Sequence, residues 1–142
     1  MIRVVADANV LVSAALARSP QAPSALVMDA ALDGRLELVT SPLLLREIAI
    51  VLLRPRFRRY LSVEETQRFI ADLAANSSLH LDGPEPPPSV CRDPHDDYLV
   101  ALAEAHGAAI VTGDLDLLAV EASTVEVITP RQLVDRLSDE SH

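Results

Sequence analysis

Acidic residues that directly follow predicted strands are the first candidates for chemistry in this sequence. Asp7 comes immediately after the apolar run 2–6, and Asp114 comes just past the apolar run 108–112. Short apolar runs of this kind are typical of strands in the middle of a parallel sheet. Ligands of such sheets bind beyond the carboxyl ends of the strands, so both aspartates are candidates for binding or catalysis.

A third candidate lies at the start of a predicted helix that ends at Gly107. Asp93 is a natural N-cap for this helix, a proline follows at the first helical position, and Asp96 falls in the first turn, where a carboxylate is favoured. Capping therefore accounts for Asp93 and Asp96. Asp97 has no such explanation, and so it joins the candidates.

Strands and helices alternate along the chain, which predicts an α/β domain with a parallel sheet covered on both faces. The predicted strands are 2–6, 36–40, 79–81, 108–112 and 125–128. The predicted helices are 10–17 (capped by Asn9), 23–33, 42–53, 63–76, 94–106 and 130–137. We expect one domain over residues 1–137, followed by a frayed tail over 138–142.

This order of elements predicts four carboxylates at one edge of the sheet. Asp7 and Asp114 follow strands, Asp97 begins a helix that leads into a strand, and Glu47 lies in the opening turns of the helix after the second strand. Four carboxylates in one pocket repel one another, and Mg²⁺ or Mn²⁺ relieves that repulsion by taking carboxylate oxygens as ligands. Two such ions can activate water against a phosphodiester and stabilise the leaving oxygen.

Each of these acids also has a purely structural explanation, because a carboxylate can cap a helix or pair with an arginine, and Glu47 has Arg46 beside it. Side chains that could orient the acids through hydrogen bonds are Asn9, Ser13, Thr112, Asp93 and Asp116. They are also explained as ordinary cap, helix, strand or turn positions.

The composition limits the class of protein. The chain has 142 residues, of which 49% are hydrophobic, and charged residues interrupt every apolar run before it reaches the ~20 residues of a membrane span. The single cysteine excludes an internal disulfide and a zinc site built from cysteines. The glycines match neither a phosphate-binding loop nor a dinucleotide fingerprint. We therefore expect a cytoplasmic protein that does not enter a membrane.

The basic residues are all arginines, and they concentrate in one segment. Residues 46–68 contain six of the twelve arginines and three glutamates, so this segment has a net charge of +3. Because the whole chain has a net charge of −9, the remaining residues carry −12. An acidic protein is a poor non-specific binder of nucleic acid, because phosphate contacts drive that affinity. A local patch of arginines can still hold a nucleic-acid backbone beside an acidic pocket whose charge is neutralised by metal ions.

Four short motifs follow one another along the chain. They are Asp7-Ala-Asn9 after the first strand, Ser41-Pro42 followed by Glu47, Asp93-Pro-His-Asp-Asp97, and Thr112-Gly113-Asp114-Leu-Asp116-Leu-Leu. Together they resemble the PIN-domain family and, within it, the toxin components of VapC-like toxin–antitoxin pairs. The resemblance covers residues 2–131. Each motif alone is weak, whereas the ordered set is specific.

The resemblance implies a Rossmann-like, three-layer α/β/α sandwich with a mostly parallel twisted sheet, and an endoribonuclease that depends on Mg²⁺ or Mn²⁺. It implies that the four acids act in the order Asp7, Glu47, Asp97 and Asp114, with Asn9 and Thr112 in support. Members of the family often have an acid where this chain has His95. Such toxins are commonly homodimers and are inhibited by a small antitoxin protein. The candidate contacts to RNA or antitoxin are Arg54, Arg56, Arg58 and Arg59.

We therefore predict the toxin of a toxin–antitoxin pair, which hydrolyses RNA phosphodiester bonds with a metal-activated water. Asp7, Asp97 and Asp114 would bind metal, and Glu47 would bind metal or help to activate water. One alternative is a non-catalytic interaction module that keeps the fold. Another alternative is a small-molecule phosphohydrolase with an aspartyl nucleophile. It is weaker, because such enzymes usually have a second aspartate two residues after the nucleophile, and this chain has Asn9 there.

Overall fold

The central feature of the fold is a sheet of five parallel strands. A computed structural model describes residues 1–83, 97–114 and 125–140. Within these residues the strands are β1 (Ile2–Ala6), β2 (Leu36–Thr40), β3 (Ser78–Leu79), β4 (Ala109–Val111) and β5 (Val127–Ile128). Their order across the sheet is β3-β2-β1-β4-β5, and every described pairing is parallel.

Helices follow the strands on both faces of the sheet, which gives a three-layer α/β/α sandwich. They are α1 (Ala8–Leu16), α2 (Pro23–Leu32), α3 (Pro42–Leu52), α4 (Val63–Ala75), α5 (Asp97–His106) and α6 (Pro130–Glu140), with a short 3-10 turn at Pro55–Phe57. Helix α1 contacts α2 and α3, α3 contacts α4, and α2 contacts α6, whereas α5 packs against β1 and β4.

The core is built from the apolar strand residues and one face of each packed helix. Val4, Val5 and Ala6 of β1 are fully buried, as expected for a strand at the centre of a parallel sheet. Along α3, the residues Leu44 and Ile48 are also fully buried at a spacing of four, so this helix packs against the core along its length.

Most helix ends lie within one residue of the sequence predictions, and the larger differences concern the start of α1 and the end of α6. Asp7 is the N-cap of α1, and its side chain accepts a hydrogen bond from the Val10 N–H, so the prediction that Asn9 caps this helix is wrong. Helix α6 continues to Glu140, three residues past its predicted end. The predicted end of α5 is confirmed, because Gly107 follows it with a φ of 61°, a conformation that favours glycine.

The strand order creates a crevice at one edge of the sheet. From β1 the chain proceeds to β2 on one side, and it later returns to place β4 on the other side of β1. In open α/β sheets such a change of direction leaves a gap between the helices at the carboxyl ends of the strands, and ligands bind there. Asp7 follows β1 and Thr112 follows β4 at this position. No described helix is long and apolar enough to span a bilayer.

Candidate active site

Asp7 is fixed at the carboxyl end of β1 by three hydrogen bonds. Its backbone N–H donates to the Val111 carbonyl at 3.0 Å, which extends the pairing of β1 with β4. One side-chain oxygen accepts from the Val10 N–H at 2.9 Å, and the other accepts from the Thr112 hydroxyl. The residue is only 5% exposed. Its carboxylate therefore has a defined position inside the crevice.

Thr112 connects the two strand-end aspartates. Ala6 and Val111 are paired and are the last residues of β1 and β4, so Asp7 and Thr112, which directly follow them, also lie next to each other. The Thr112 side chain is fully buried, and its hydroxyl both donates to Asp7 and accepts from the Asp114 N–H at 2.9 Å. We call Asp7, Thr112 and Asp114 the acid site. Its members come from opposite ends of the sequence, and the pairing of β1 with β4 brings them together.

The electrostatics of the acid site disfavour the ionised form of Asp7. Burial raises the pKa of the Asp7 carboxyl above its ordinary value, and the negative charge of Asp114 raises it further. Hydrogen bonds from Thr112 and from the backbone N–H groups of Val10 and Asn9 act in the opposite direction but are outweighed. A cation between these carboxylates would remove the repulsion, and carboxylate oxygen is the ligand type that Mg²⁺ and Mn²⁺ prefer.

Glu47 contacts the start of α5 through the side chain of Tyr98. The Tyr98 hydroxyl donates to a Glu47 carboxylate oxygen, and Tyr98 is the residue after Asp97. Asp97 is 4% exposed at the first described residue of α5, a helix that packs on β1 and β4. Glu47 is half-buried on α3 and lines a cavity of about 530 Å³ together with Tyr98, Arg46, apolar side chains of α3 and Arg54, the first of the predicted contact arginines.

The four predicted acids do not form one close group. Among the described residues, no set of three acidic, histidine or cysteine side chains is close enough together to hold a metal ion. Asp7 and Asp114 are the pair whose charges interact, since the negative charge of Asp114 raises the pKa of Asp7. This pair still fits Mg²⁺, because that ion is usually bound by one or two carboxylates, with water and substrate phosphate as the other ligands. Asp93, Asp96 and Asp116 lie outside the described residues.

The predicted supporting residues take different positions. Thr112 supports Asp7 directly, as described above. Asn9 and Ser13 are exposed on α1, and with Asp114 they line a cleft of about 580 Å³ next to the acid site. Arg131, which the sequence analysis did not single out, lies in the same cleft. Arg131 comes shortly after the predicted strand 125–128. Position after a strand is also the criterion that selected Asp7, so the same criterion could have indicated Arg131.

The arginine segment, residues 54–60, lies away from the acid site. It follows the last residue of α3, and the 11 residues of that helix span about 16 Å from its start at the sheet edge. The guanidinium of Arg18, which follows α1, lies 5.1 Å from the Tyr60 ring centroid, and that of Arg59 lies 5.9 Å from it. The segment therefore sits at the far ends of α1 and α3, whereas the acid site sits at their beginnings.

The four predicted contact arginines of this segment are not equivalent. Arg54, Arg56 and Arg59 are exposed. Arg58 is half-buried and donates a hydrogen bond to the Leu52 carbonyl at the end of α3, while its buried Nε and Nη1 atoms have no hydrogen-bond partner within the described parts of the chain. Arg58 thus has a structural contact at a helix C-terminus, where a cation is favoured.

Known proteins resemble this chain over most of its length. A family model described as PIN domain matches residues 3–116. The uncharacterized protein MJ1680 of Methanocaldococcus jannaschii is 31% identical over 144 aligned residues, which cover 94% of this chain and 90% of that protein.

Solved structures share the fold. PAE2754 from Pyrobaculum aerophilum superposes with a TM-score of 0.66 and 20% identity, covering 97% of this chain and 90% of that one. VapBC2 from Rickettsia felis, crystallised with a DNA fragment from its own promoter, superposes with a TM-score of 0.63 and 10% identity, covering 90% of this chain and 98% of that one.

Proposed function

This chain belongs to the PIN-domain family, and we propose that it is an endoribonuclease that depends on Mg²⁺ or Mn²⁺ and acts as the toxin of a toxin–antitoxin pair. PIN domains are in general nucleases, so hydrolysis of phosphodiester bonds is the activity that family membership supports. The choice of RNA and of metal is our proposal. The observation that carries it is the convergence of Asp7 and Asp114 on the shared hydroxyl of Thr112, in the crevice beside β1.

We assign the metal to Asp7 and Asp114, with Asp97 as a further acid from the start of α5. A bound divalent ion supplies a water of lowered pKa and stabilises negative charge on the leaving oxygen. Thr112 holds the Asp7 carboxylate in one orientation, and such supporting hydrogen bonds strongly affect metal affinity and activity. The role of Glu47 is to bind metal or to accept a proton from the attacking water, with its carboxylate oriented by Tyr98.

We also propose an antitoxin as protein partner and a homodimer as the assembly. The sequence resemblance to VapC-like toxins and the structural likeness to VapBC2 support the partner. The arginine segment has exposed arginines that can pair with an acidic surface of the partner. The rest of this chain is strongly acidic and would repel such a surface, so we place the contact at the arginine segment.

RNA cleavage by matched aspartate variants tests the enzyme proposal. We expect wild type to cleave RNA with Mg²⁺ or Mn²⁺. We expect Asp7→Asn and Asp97→Asn to lose about 100-fold or more in rate, because the first removes a metal ligand and the second removes the further acid of the proposed mechanism. Asp29→Asn is the control, since Asp29 is exposed on α2 and the change is chemically the same. Cleavage at the wild-type rate by both active-site variants would refute the assignment.

A second candidate function is a non-catalytic interaction module. It is favoured by the lack of a three-ligand group among residues 1–83, 97–114 and 125–140. Metal titration by calorimetry separates the two: a protein that binds Mn²⁺ through Asp7 but cleaves no RNA, DNA or small phosphate ester supports the module, whereas metal-dependent turnover supports the nuclease.

A further inference from the structure

The cleft next to Asp114 has no role in the catalytic assignment. It has a volume of about 580 Å³, within the range of small-molecule sites, and is formed by the outer face of α1, the starts of α2 and α6, and the turn after β4. Asp114 and Asn9 belong to its wall, so the cleft is continuous with the acid site. A ligand reaching the acid site from this side must occupy it.

Arg131 gives the cleft its positive charge. It is the one basic residue among the described residues that line the cleft, and its side chain makes no hydrogen bond or ion pair with the described parts of the chain. Arg136, on the same helix, is instead paired with Glu126 through two contacts of 2.7 and 3.1 Å. The Arg131 guanidinium is therefore available to an anion from solution, and its planar fork matches phosphate oxygens.

The rest of the lining is neutral and mixed. The Asn9 amide and the hydroxyls of Ser13 and Ser24 can exchange hydrogen bonds with a ribose or a base edge, and Pro23 and Pro130 supply apolar surface. In a chain with a net charge of −9, a polyanion needs a local cation to approach an acidic pocket. One wall of the cleft offers that cation, and the other adjoins the carboxylates.

We propose that this cleft binds the nucleotide of an RNA strand adjacent to the bond that is cut, with Arg131 contacting one of its phosphates. The proposal rests on the proposed function, because it takes RNA as the substrate of the acid site. It adds Arg131 of α6 as a binding residue. It also gives the path of the bound RNA, which runs from the acid site over α1 towards the start of α6.

Binding to a short fluorescent single-stranded RNA, measured by anisotropy in EDTA, tests the cleft without cleavage. We expect Arg131→Ala to weaken binding about 3- to 10-fold and to reduce the salt slope of log K by about 0.7, the value for one phosphate contact on a single strand. Arg131→Lys keeps the charge and should retain most of that slope. Arg35→Ala is the matched control, because Arg35 is exposed outside the cleft.

A blocking variant provides a second measurement. Ser13 is exposed, so Ser13→Phe should fill the cleft, weaken RNA binding and leave the melting temperature unchanged. Wild-type affinity in Arg131→Ala, an equal loss in Arg35→Ala, or no measurable binding by wild type would each overturn the proposal.

Cleavage assays separate this proposal from the nuclease assignment. If wild type cuts RNA and Arg131→Ala matches it in affinity and KM, the cleft proposal fails and the nuclease stands. If Arg131→Ala loses affinity but wild type never cuts RNA, the cleft remains an RNA-binding site and the nuclease proposal fails.

Discussion

The acid site and the arginine segment lie at opposite ends of α1 and α3, and they are built in different ways. In the acid site, Asp7 and Thr112 are buried, and each is held by backbone pairing and by side-chain hydrogen bonds. In the arginine segment, Arg56 and Arg59 are exposed and contact aromatic rings at 4.7 and 5.9 Å. Removing one partner of a buried hydrogen bond costs about 1–3 kcal/mol, whereas an exposed cation–π contact contributes about 0.5–1 kcal/mol. The first region is suited to fixed geometry and the second to adaptable contacts.

After the aspartate variants, the largest effect should come from Thr112→Val, which keeps the shape of the side chain and removes the hydroxyl that contacts both Asp7 and Asp114. We expect RNA cleavage to fall by about 10- to 100-fold, as for other residues that orient metal ligands. Thr112→Ser should restore most of the rate, because it restores the hydroxyl. Rates are to be compared well below the melting temperature of each variant. Wild-type activity in Thr112→Val would show that the shared hydroxyl has no role in catalysis.

The next effect concerns stability and pH. Since burial raises the pKa of Asp7, the folded protein binds a proton on this carboxyl more tightly than the unfolded chain does. The protonated Asp7 therefore stabilises the fold at low pH, and this contribution is lost as pH rises through the folded-state pKa. Asp7→Asn keeps a good N-cap and removes the charge. In EDTA at pH 7 we expect it to melt a few degrees above wild type, with the difference shrinking towards pH 3. A lower melting temperature at pH 7 would contradict this.

A smaller effect should distinguish Arg58 from its neighbours in the arginine segment. Arg58→Met keeps the apolar stem but loses the hydrogen bond to the Leu52 carbonyl, and we expect a loss of about 1 kcal/mol in the free energy of unfolding by urea. Arg56→Met should change it by less than about 0.5 kcal/mol, because Arg56 is exposed. Stabilisation by Arg58→Met would mean that the unpartnered Nε and Nη1 atoms cost more than the bond contributes.

The smallest effect should follow from Arg56→Ala combined with Arg59→Ala. The arginine segment is separated from the start of α3 by about 16 Å, roughly twice the Debye length at physiological ionic strength. We therefore expect kcat/KM for a short RNA to change by less than about twofold. A tenfold fall on this short substrate would place the arginine segment in the catalytic path and remove the contrast between the two regions.

Much of the fold and part of the site could be predicted from the sequence. The alternation of apolar runs and helical periodicities predicted the parallel sheet, and strand-end placement predicted that Asp7 and Asp114 lie close together. The rest required coordinates. Glu47 lies in mid-helix, where its direction depends on the rotation of α3, and its partner Tyr98 is 51 residues away in the chain. Nothing in a run of arginines indicates that Arg58 turns inward while Arg56 remains exposed.

The sequence by itself determined the class of fold and the edge of the sheet at which the strand-end acids lie. The spacing of apolar residues, the helix caps and the direction of the chain are local properties, and they have the same consequence in any parallel α/β arrangement. Only the tertiary structure decided that Asp7 and Asp114 both contact the Thr112 hydroxyl, that a cleft containing Arg131 adjoins them, and that most of the arginine segment lies a helix length away. Those relations depend on strand register, helix rotation and side-chain packing. They are set by contacts between residues far apart in the chain.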